Sequence, residues 1–133
     1  MPPSFLRLFW ARQALLRRKS RRRSSASRCR NKRIPLQKYD VPGTQLESVI
    51  GIAEIAPNVL IGRHTHPGPE SGYLLEGEFV LMIDGQPPKP LKAGESYQVP
   101  SGAIHDAKSG PNGAKVLAVY IVRKGEPLAT PAK

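Results

Sequence analysis

Three histidines and one glutamate of this 133-residue chain are spaced as the ligands of a single metal ion would be. His64 and His66 are two residues apart, which on a β-strand places both imidazoles on one face. A Pro-Gly turn follows, and beyond it Glu70 can lie beside them. The remaining histidine, His105, follows a second turn of the form Pro-x-Gly. Imidazole nitrogens and a carboxylate oxygen suit a borderline divalent ion, so the set predicts a site for iron, manganese, cobalt, nickel, copper or zinc.

A surface or core histidine pair is the competing interpretation of this pattern, because an isolated His-x-His on a strand is more often structural than a ligand pair. The carboxylate behind one turn and the imidazole behind another favour ligation. Four ligands on one side of a six-coordinate ion would leave positions for water or substrate, which is the condition for metal catalysis.

The elements that must position these residues are short β-strands. Apolar and β-branched runs alternate with Pro- and Gly-rich turns throughout the second part of the chain, and no amphipathic helical pattern occurs there. This pattern predicts an all-β sandwich or barrel. Strands are predicted at 46–55, 59–65, 72–83, 96–99, 104–107 and 115–124, with a turn at 110–113 before the last of them.

The spacing of these residues resembles the two motifs of the cupin family. The first motif is His-x-His, three or four residues, Glu, six residues and Gly, and the chain matches it at His64, His66, Glu70 and Gly77. The second is Gly, five residues, Pro-x-Gly, two residues, His, three residues and Asn, and the chain matches it at Gly94, Pro100, Gly102 and His105. Asn58 stands where a glycine usually opens the first motif, but asparagine tolerates the left-handed backbone. Ser109 replaces the closing asparagine, which is not a ligand position.

The resemblance covers residues 45–124 and implies a small double-stranded β-helix, or jelly-roll barrel, with its metal inside and often a homodimer. On this likeness His64, His66, Glu70 and His105 hold one divalent transition metal ion, and a small molecule is the substrate or ligand. The first functional interpretation is a dioxygenase-type enzyme, because the family includes dioxygenases with this three-histidine, one-glutamate set. Glu70 is then also the catalytic candidate, since a carboxylate that partly leaves the metal can act as a base.

Two further functions stay open at this point. One is an isomerase or lyase acting on a sugar or keto acid, in which the metal polarises a carbonyl. The other is a non-catalytic metallo-barrel that captures or senses a small ligand. An enzyme needs space for a substrate beside an open metal position, whereas a binding or structural site can be filled by protein groups.

The basic charge of the chain is concentrated at its N-terminus. Residues 1–33 contain twelve of the 21 lysines and arginines and none of the 10 acidic residues, whereas residues 34–133 are nearly neutral. We therefore divide the chain into a basic arm, residues 1–33, and a barrel domain, residues 34–133. The arm is expected to be disordered or a short helix, and is a targeting segment or the product of a mis-assigned start. Its charge also permits binding to nucleic acid or an acidic membrane, which we do not favour.

Cysteine content and hydropathy exclude other classes of protein. Cys29 is the single cysteine, so an intramolecular disulfide and a zinc-thiolate site are excluded. No apolar run is long enough to predict a transmembrane helix. The barrel domain is expected to be soluble and, by default, cytoplasmic.

Overall fold

The computed structural model describes residues 31–133; the disordered or short-helical state expected of residues 1–30 lies outside the described residues. Between Asn31 and Lys133 the chain is all-β, as the sequence predicts, and forms eight strands without a helix. That range accordingly offers no helix capable of crossing a bilayer. The strands are β1 Asn31–Asp40, β2 Leu46–Ile55, β3 His64–Thr65, β4 Glu70–Ile83, β5 Lys89–Lys92, β6 Ser96–Val99, β7 His105–Arg123 and β8 Thr130–Pro131.

The eight strands belong to one sheet in which β7 is the central element. The sheet runs in the order β1-β2-β7-β3-β8, and β4 pairs with β5, β6 and β7. The second half of β7 pairs with β2 on one side and with the first half of β4 on the other, all antiparallel. The first half of β7 pairs with the end of β4 and, through His105, with β3. The pairing of β7 therefore brings both halves of the candidate site to one place.

Alternate residues of β7 form the interior face. Val116, Ala118, Tyr120 and Val122 are buried, and the residues between them are only partly so. The buried apolar residues form two clusters. The larger contains Val116 and Leu74, and the smaller contains Ala118, Tyr120 and Val122. Each fully buried apolar side chain of this kind contributes about 1.5–3 kcal/mol to folding. The core thus fixes the strands that carry the polar site.

The strand boundaries differ from the prediction in several places. The segment predicted as a turn at 110–113 lies within β7 and does not separate two strands, but the register passes from Ser109–Phe79 to Ala114–Gly77, so these four residues form a bulge on β7 opposite Glu78. The strand predicted at 59–65 is shortened to two residues, since Asn58 turns the backbone with a φ of 56°. That left-handed conformation is the one that the first motif's glycine would adopt.

Strand β1 was not predicted, and it begins inside the segment assigned to the basic arm. Asn31 to Arg33 pair with β2, so the structure shows these three residues as part of the sheet. Most of β1 is solvent-exposed, which explains why its sequence lacks the apolar alternation of a half-buried strand.

Gly77 closes the first motif for a steric reason. Its φ is 74°, and a Cβ built there would collide with the carbonyl oxygen of Gly113 on β7. Only glycine therefore lets β4 pass β7 at this point.

We predict that Gly77→Ala destabilises the protein much more than Gly85→Ala. Both glycines have positive φ, 74° and 79°, but a Cβ at Gly85 meets nothing. The left-handed backbone should cost either variant about 1–2 kcal/mol, and the collision should add about 1–3 kcal/mol at position 77 alone. Urea denaturation of the two variants measures the difference. Equal losses of unfolding free energy would contradict the close approach of β4 and β7.

Candidate metal centre

The structure brings the three histidines together. His64 on β3 is the Cα pairing partner of His105 on β7, and His66 follows just after β3. The ring centroid of His105 lies 4.2 Å from that of His64 and 5.0 Å from that of His66. One potential ligand atom from each ring lies within 4.8 Å of the other two. The convergence expected from the motif spacing is thus present.

Each histidine is oriented by a backbone carbonyl. A carbonyl oxygen can only accept a hydrogen bond, so each Nδ1 must carry the proton and donate it. In the neutral ring Nε2 then keeps its lone pair, which is the form that binds a metal ion. The accepting carbonyls for His64, His66 and His105 are those of Gly62 at 2.7 Å, Leu128 at 2.6 Å and Ala103 at 3.0 Å.

Glu70, the first residue of β4, places its carboxylate against two of these rings. Its Oε2 lies 3.1 Å from Nε2 of His66 and 3.5 Å from Nε2 of His105. Nε2 of His66 is buried and, among residues 31–133, makes no properly aligned hydrogen bond. Acceptor atoms that face one another in a buried site need a cation between them, either a proton or a metal ion. The three histidines could therefore hold a metal ion, with the Glu70 carboxylate in contact with two of them.

The ionisation of the site follows from these contacts. Burial disfavours the charged form of His105, but the contact with Glu70, the hydrogen bond to the Ala103 carbonyl and the negative charges of Glu70 and Asp106 together outweigh burial and raise the pKa of His105. Burial likewise opposes the charge of Glu70, yet its close contacts with the His105 and His66 rings and the hydrogen bond from Tyr97 hold the pKa of Glu70 well below its usual range. Burial lowers the pKa of His64. A divalent ion that binds here therefore competes with protonation of His105.

Tyr97 on β6 holds the other carboxylate oxygen. Its hydroxyl donates to Oε1 of Glu70 at 2.7 Å. The ring reaches that position because it lies over Gly72, its pairing partner on β4, where any Cβ would collide with the ring. Burial and the charge of Glu70 raise the pKa of Tyr97, so the hydroxyl stays a donor.

Tyr120 is a residue of the site that the sequence did not reveal. It pairs directly with Glu70 across β4 and β7, and its ring centroid lies 4.8 Å from that of His66. Burial and the Glu70 carboxylate raise the pKa of Tyr120 to about 12. The one available signal was strand alternation, which places Tyr120 on the same face as the buried Ala118 and Val122.

Two cavities adjoin the site. A cleft of about 350 Å³ opens at His64, the one half-buried histidine, and is bordered by the segment 61–63 and by Pro131. A second cavity of about 290 Å³ is lined by Tyr120, Leu128 and mainly apolar residues of β1 and β2. Small-molecule pockets begin at about 300 Å³. Space for a small molecule is therefore present beside His64 and beside Tyr120.

Comparison with known proteins identifies relatives of this fold. The family model of the cupin domain matches residues 51–122. Among curated proteins, the chain is 36% identical over 69 residues to dimethylsulfoniopropionate lyase DddW of Ruegeria pomeroyi, an alignment that covers 52% of this chain and 45% of that protein. The chain thus spans less than half the length of the curated relative that it matches.

Solved structures share the fold at lower sequence identity. Dimethylsulfoniopropionate lyase DddQ from Ruegeria pomeroyi superposes with a TM-score of 0.66 at 19% identity, over 84% of this chain and 56% of that one. Oxalate oxidase in complex with the substrate analogue glycolate superposes with a TM-score of 0.62 at 20% identity, over 80% of this chain and 57% of that one. At these identities the likeness shows the fold alone.

We predict that Glu70→Gln weakens metal binding and that Glu47→Gln does not. Glu47 is the matched control, because it is also a buried glutamate but pairs with Lys38 at 3.3 Å. Loss of the carboxylate that faces His66 and His105 should raise the dissociation constant for Zn²⁺ more than about tenfold. Competition with a chromophoric chelator measures the constant on the full chain. Equal affinities of the two variants would place Glu70 outside the metal site.

Proposed function

The chain belongs to the cupin family, and on that premise we propose that it is a metal-dependent lyase that acts on a small carboxylate. The carrying observation is the convergence of three imidazoles, two of them in contact with the Glu70 carboxylate, beside a cleft of about 350 Å³. The 36% identity with a dimethylsulfoniopropionate lyase supports this reaction class over the dioxygenase favoured by the sequence alone.

The proposed ligands are those expected from the motifs. They are His64, His66, Glu70 and His105, and their donor set suits iron, manganese, nickel, copper, cobalt or zinc. The buried, unpaired Nε2 of His66 supports the assignment, since a bound cation would satisfy it. Such an ion would supply Lewis acidity that polarises a substrate oxygen.

The reaction we propose is a β-elimination. For dimethylsulfoniopropionate, a base removes a proton from the carbon next to the carboxylate, and the electron pair of that C–H bond forms a C=C bond. The C–S bond breaks and its electron pair leaves with neutral dimethyl sulfide, so the remaining product is acrylate. The leaving group needs no proton, and the chain must therefore supply only a base and a place for the substrate.

Tyr120 and Glu70 are the residues that we propose to move this proton. Tyr120 lines the second cavity, whereas Glu70 lines neither cavity and lies beside Tyr120 as its pairing partner on β4. The Tyr120 oxygen can take the substrate proton while its own proton passes to Glu70. Tyr97 keeps Glu70 in place through the 2.7 Å hydrogen bond to Oε1. Glu70 thus retains the base role expected from the sequence, with Tyr120 as the group that meets the substrate.

A dioxygenase is the second candidate function. Three neutral imidazoles and one carboxylate also suit redox-active iron or copper, and the cleft at His64 has room for a small organic molecule. The homodimer, and the targeting or polyanion-binding role of the basic arm, stay predictions.

We predict that the metal-loaded chain releases dimethyl sulfide from dimethylsulfoniopropionate. The protein is purified without a metal-affinity tag, loaded in turn with each candidate ion, and assayed by headspace gas chromatography. A chelator should abolish the release of dimethyl sulfide, and adding the ion back should restore it. An oxygen electrode with catechol-like substrates runs in parallel. Oxygen uptake without dimethyl sulfide would identify the dioxygenase, and substrate binding without either product would identify a binding module.

We predict that Tyr120→Phe lowers kcat about a hundredfold or more while Zn²⁺ affinity changes little. The hydroxyl is lost, but the ring and its packing against His66 remain. Tyr73→Phe is the matched control, because Tyr73 is 44% exposed and should leave kcat unchanged. Steady-state kinetics and the chelator competition measure the two quantities. A Tyr120→Phe enzyme with wild-type kcat would remove Tyr120 from the proposed proton path.

A further inference from the structure

Arg33 is an exposed residue of the edge strand β1 that shares the interior face of the sheet, although the sequence placed it in the basic arm. It pairs with Ala53 on β2, and Ala53 pairs with Val116 on β7. Val116 is 2% exposed and belongs to the core. Directly paired residues project to the same face of a sheet, so Arg33 shares the face of Val116. As a residue of the edge strand, Arg33 reaches the rim of the interior.

Both cavities beside the metal centre are bordered by Arg33. In the cleft of about 350 Å³ it lies opposite His64, and in the cavity of about 290 Å³ it accompanies Tyr120. The second cavity is otherwise lined mainly by apolar residues. Apolar walls focus the field of a cation, so the guanidinium makes this space attractive to an anion.

No carboxylate neutralises Arg33 within residues 31–133. Other basic residues nearby are neutralised: Lys38 of the same strand pairs with Glu47, and Arg63 pairs with Asp84 at 2.6 Å. Arg33 also acts on the site electrostatically, since it opposes the rise that burial and Glu70 cause in the pKa of Tyr120.

We propose that the guanidinium of Arg33 binds the carboxylate of the substrate and makes the site selective for small aliphatic carboxylates. The planar guanidinium matches a carboxylate with two parallel hydrogen bonds, and the apolar wall of the second cavity suits an aliphatic chain. The inference rests on the proposed function and deepens it. Neutralising the carboxylate also eases removal of the proton from the adjacent carbon, which is the step assigned to Tyr120 and Glu70.

If Arg33 served only a structural role, a different experimental result would be expected. Inward-pointing charges on edge strands prevent unwanted pairing with another sheet. That role requires no selectivity between charged and neutral ligands. Lys32 provides the matched control, because it is the adjacent basic residue of β1 and, by alternation, projects to the opposite face.

The test measures binding of propionate and of its neutral analogue propionamide to the zinc-loaded full chain by titration calorimetry. Wild type should bind propionate more tightly than propionamide. Arg33→Gln should weaken propionate binding about tenfold and leave propionamide unchanged, whereas Lys32→Gln should change neither. Arg33→Lys, which keeps the charge but loses the planar fork, should give an intermediate affinity.

Three results would overturn the proposal: equal effects of Arg33→Gln and Lys32→Gln, equal binding of propionate and propionamide by wild type, or no propionate binding by wild type. The binding assay is independent of turnover. Selective, Arg33-dependent propionate binding by a chain that releases no dimethyl sulfide would leave this proposal standing and reject the lyase. Dimethyl sulfide release by Arg33→Gln with an unchanged KM would reject the role of Arg33 and retain the lyase.

Discussion

The hydrogen bonds from three Nδ1 atoms to backbone carbonyls are the interaction on which the site depends. They fix the tautomer of each ring, and so they leave three Nε2 lone pairs free, two of which face the carboxylate of Glu70. The carbonyls belong to turns and loops next to the strands, and the strands are held in place by the pairing of β7 with β2, β3 and β4. Without a cation this arrangement leaves acceptors facing one another, and burial makes that arrangement costly. The fold thus holds imidazole lone pairs against a carboxylate, and a divalent ion bound between them would remove their repulsion.

The convergence of the three histidines was predictable from the sequence because each lies beside a recognisable turn. His64 lies on a short strand and His66 just after it, Glu70 follows one turn, and His105 follows another. The left-handed conformation at Asn58 was also foreseen, since few other residues tolerate it. The local spacing thus indicated these features, although the meeting of His105 with His64 also requires the pairing of β3 with β7.

The surroundings of the ligands were not predictable in the same way, because they depend on pairings between distant strands. Tyr120 meets Glu70 only through the register of β4 and β7, and Tyr97 reaches Glu70 only because Gly72 leaves space on the neighbouring strand. Arg33 was assigned to the basic arm by composition, although its pairing with Ala53 makes it part of the interior rim. The turn predicted at 110–113 became a bulge for a related reason, since the pairing of Ser109 and Ala114 with β4 keeps the chain on either side of it in one strand.

The measurement that tests the convergence most directly is long-range ¹H–¹⁵N NMR of the three imidazoles during titration with Zn²⁺. We predict that Nδ1 carries a proton in all three rings and that one equivalent of Zn²⁺ shifts all three Nε2 resonances together. A titration in which fewer than three Nε2 resonances respond, or in which any ring binds the ion through Nδ1, would contradict the site described by the structure.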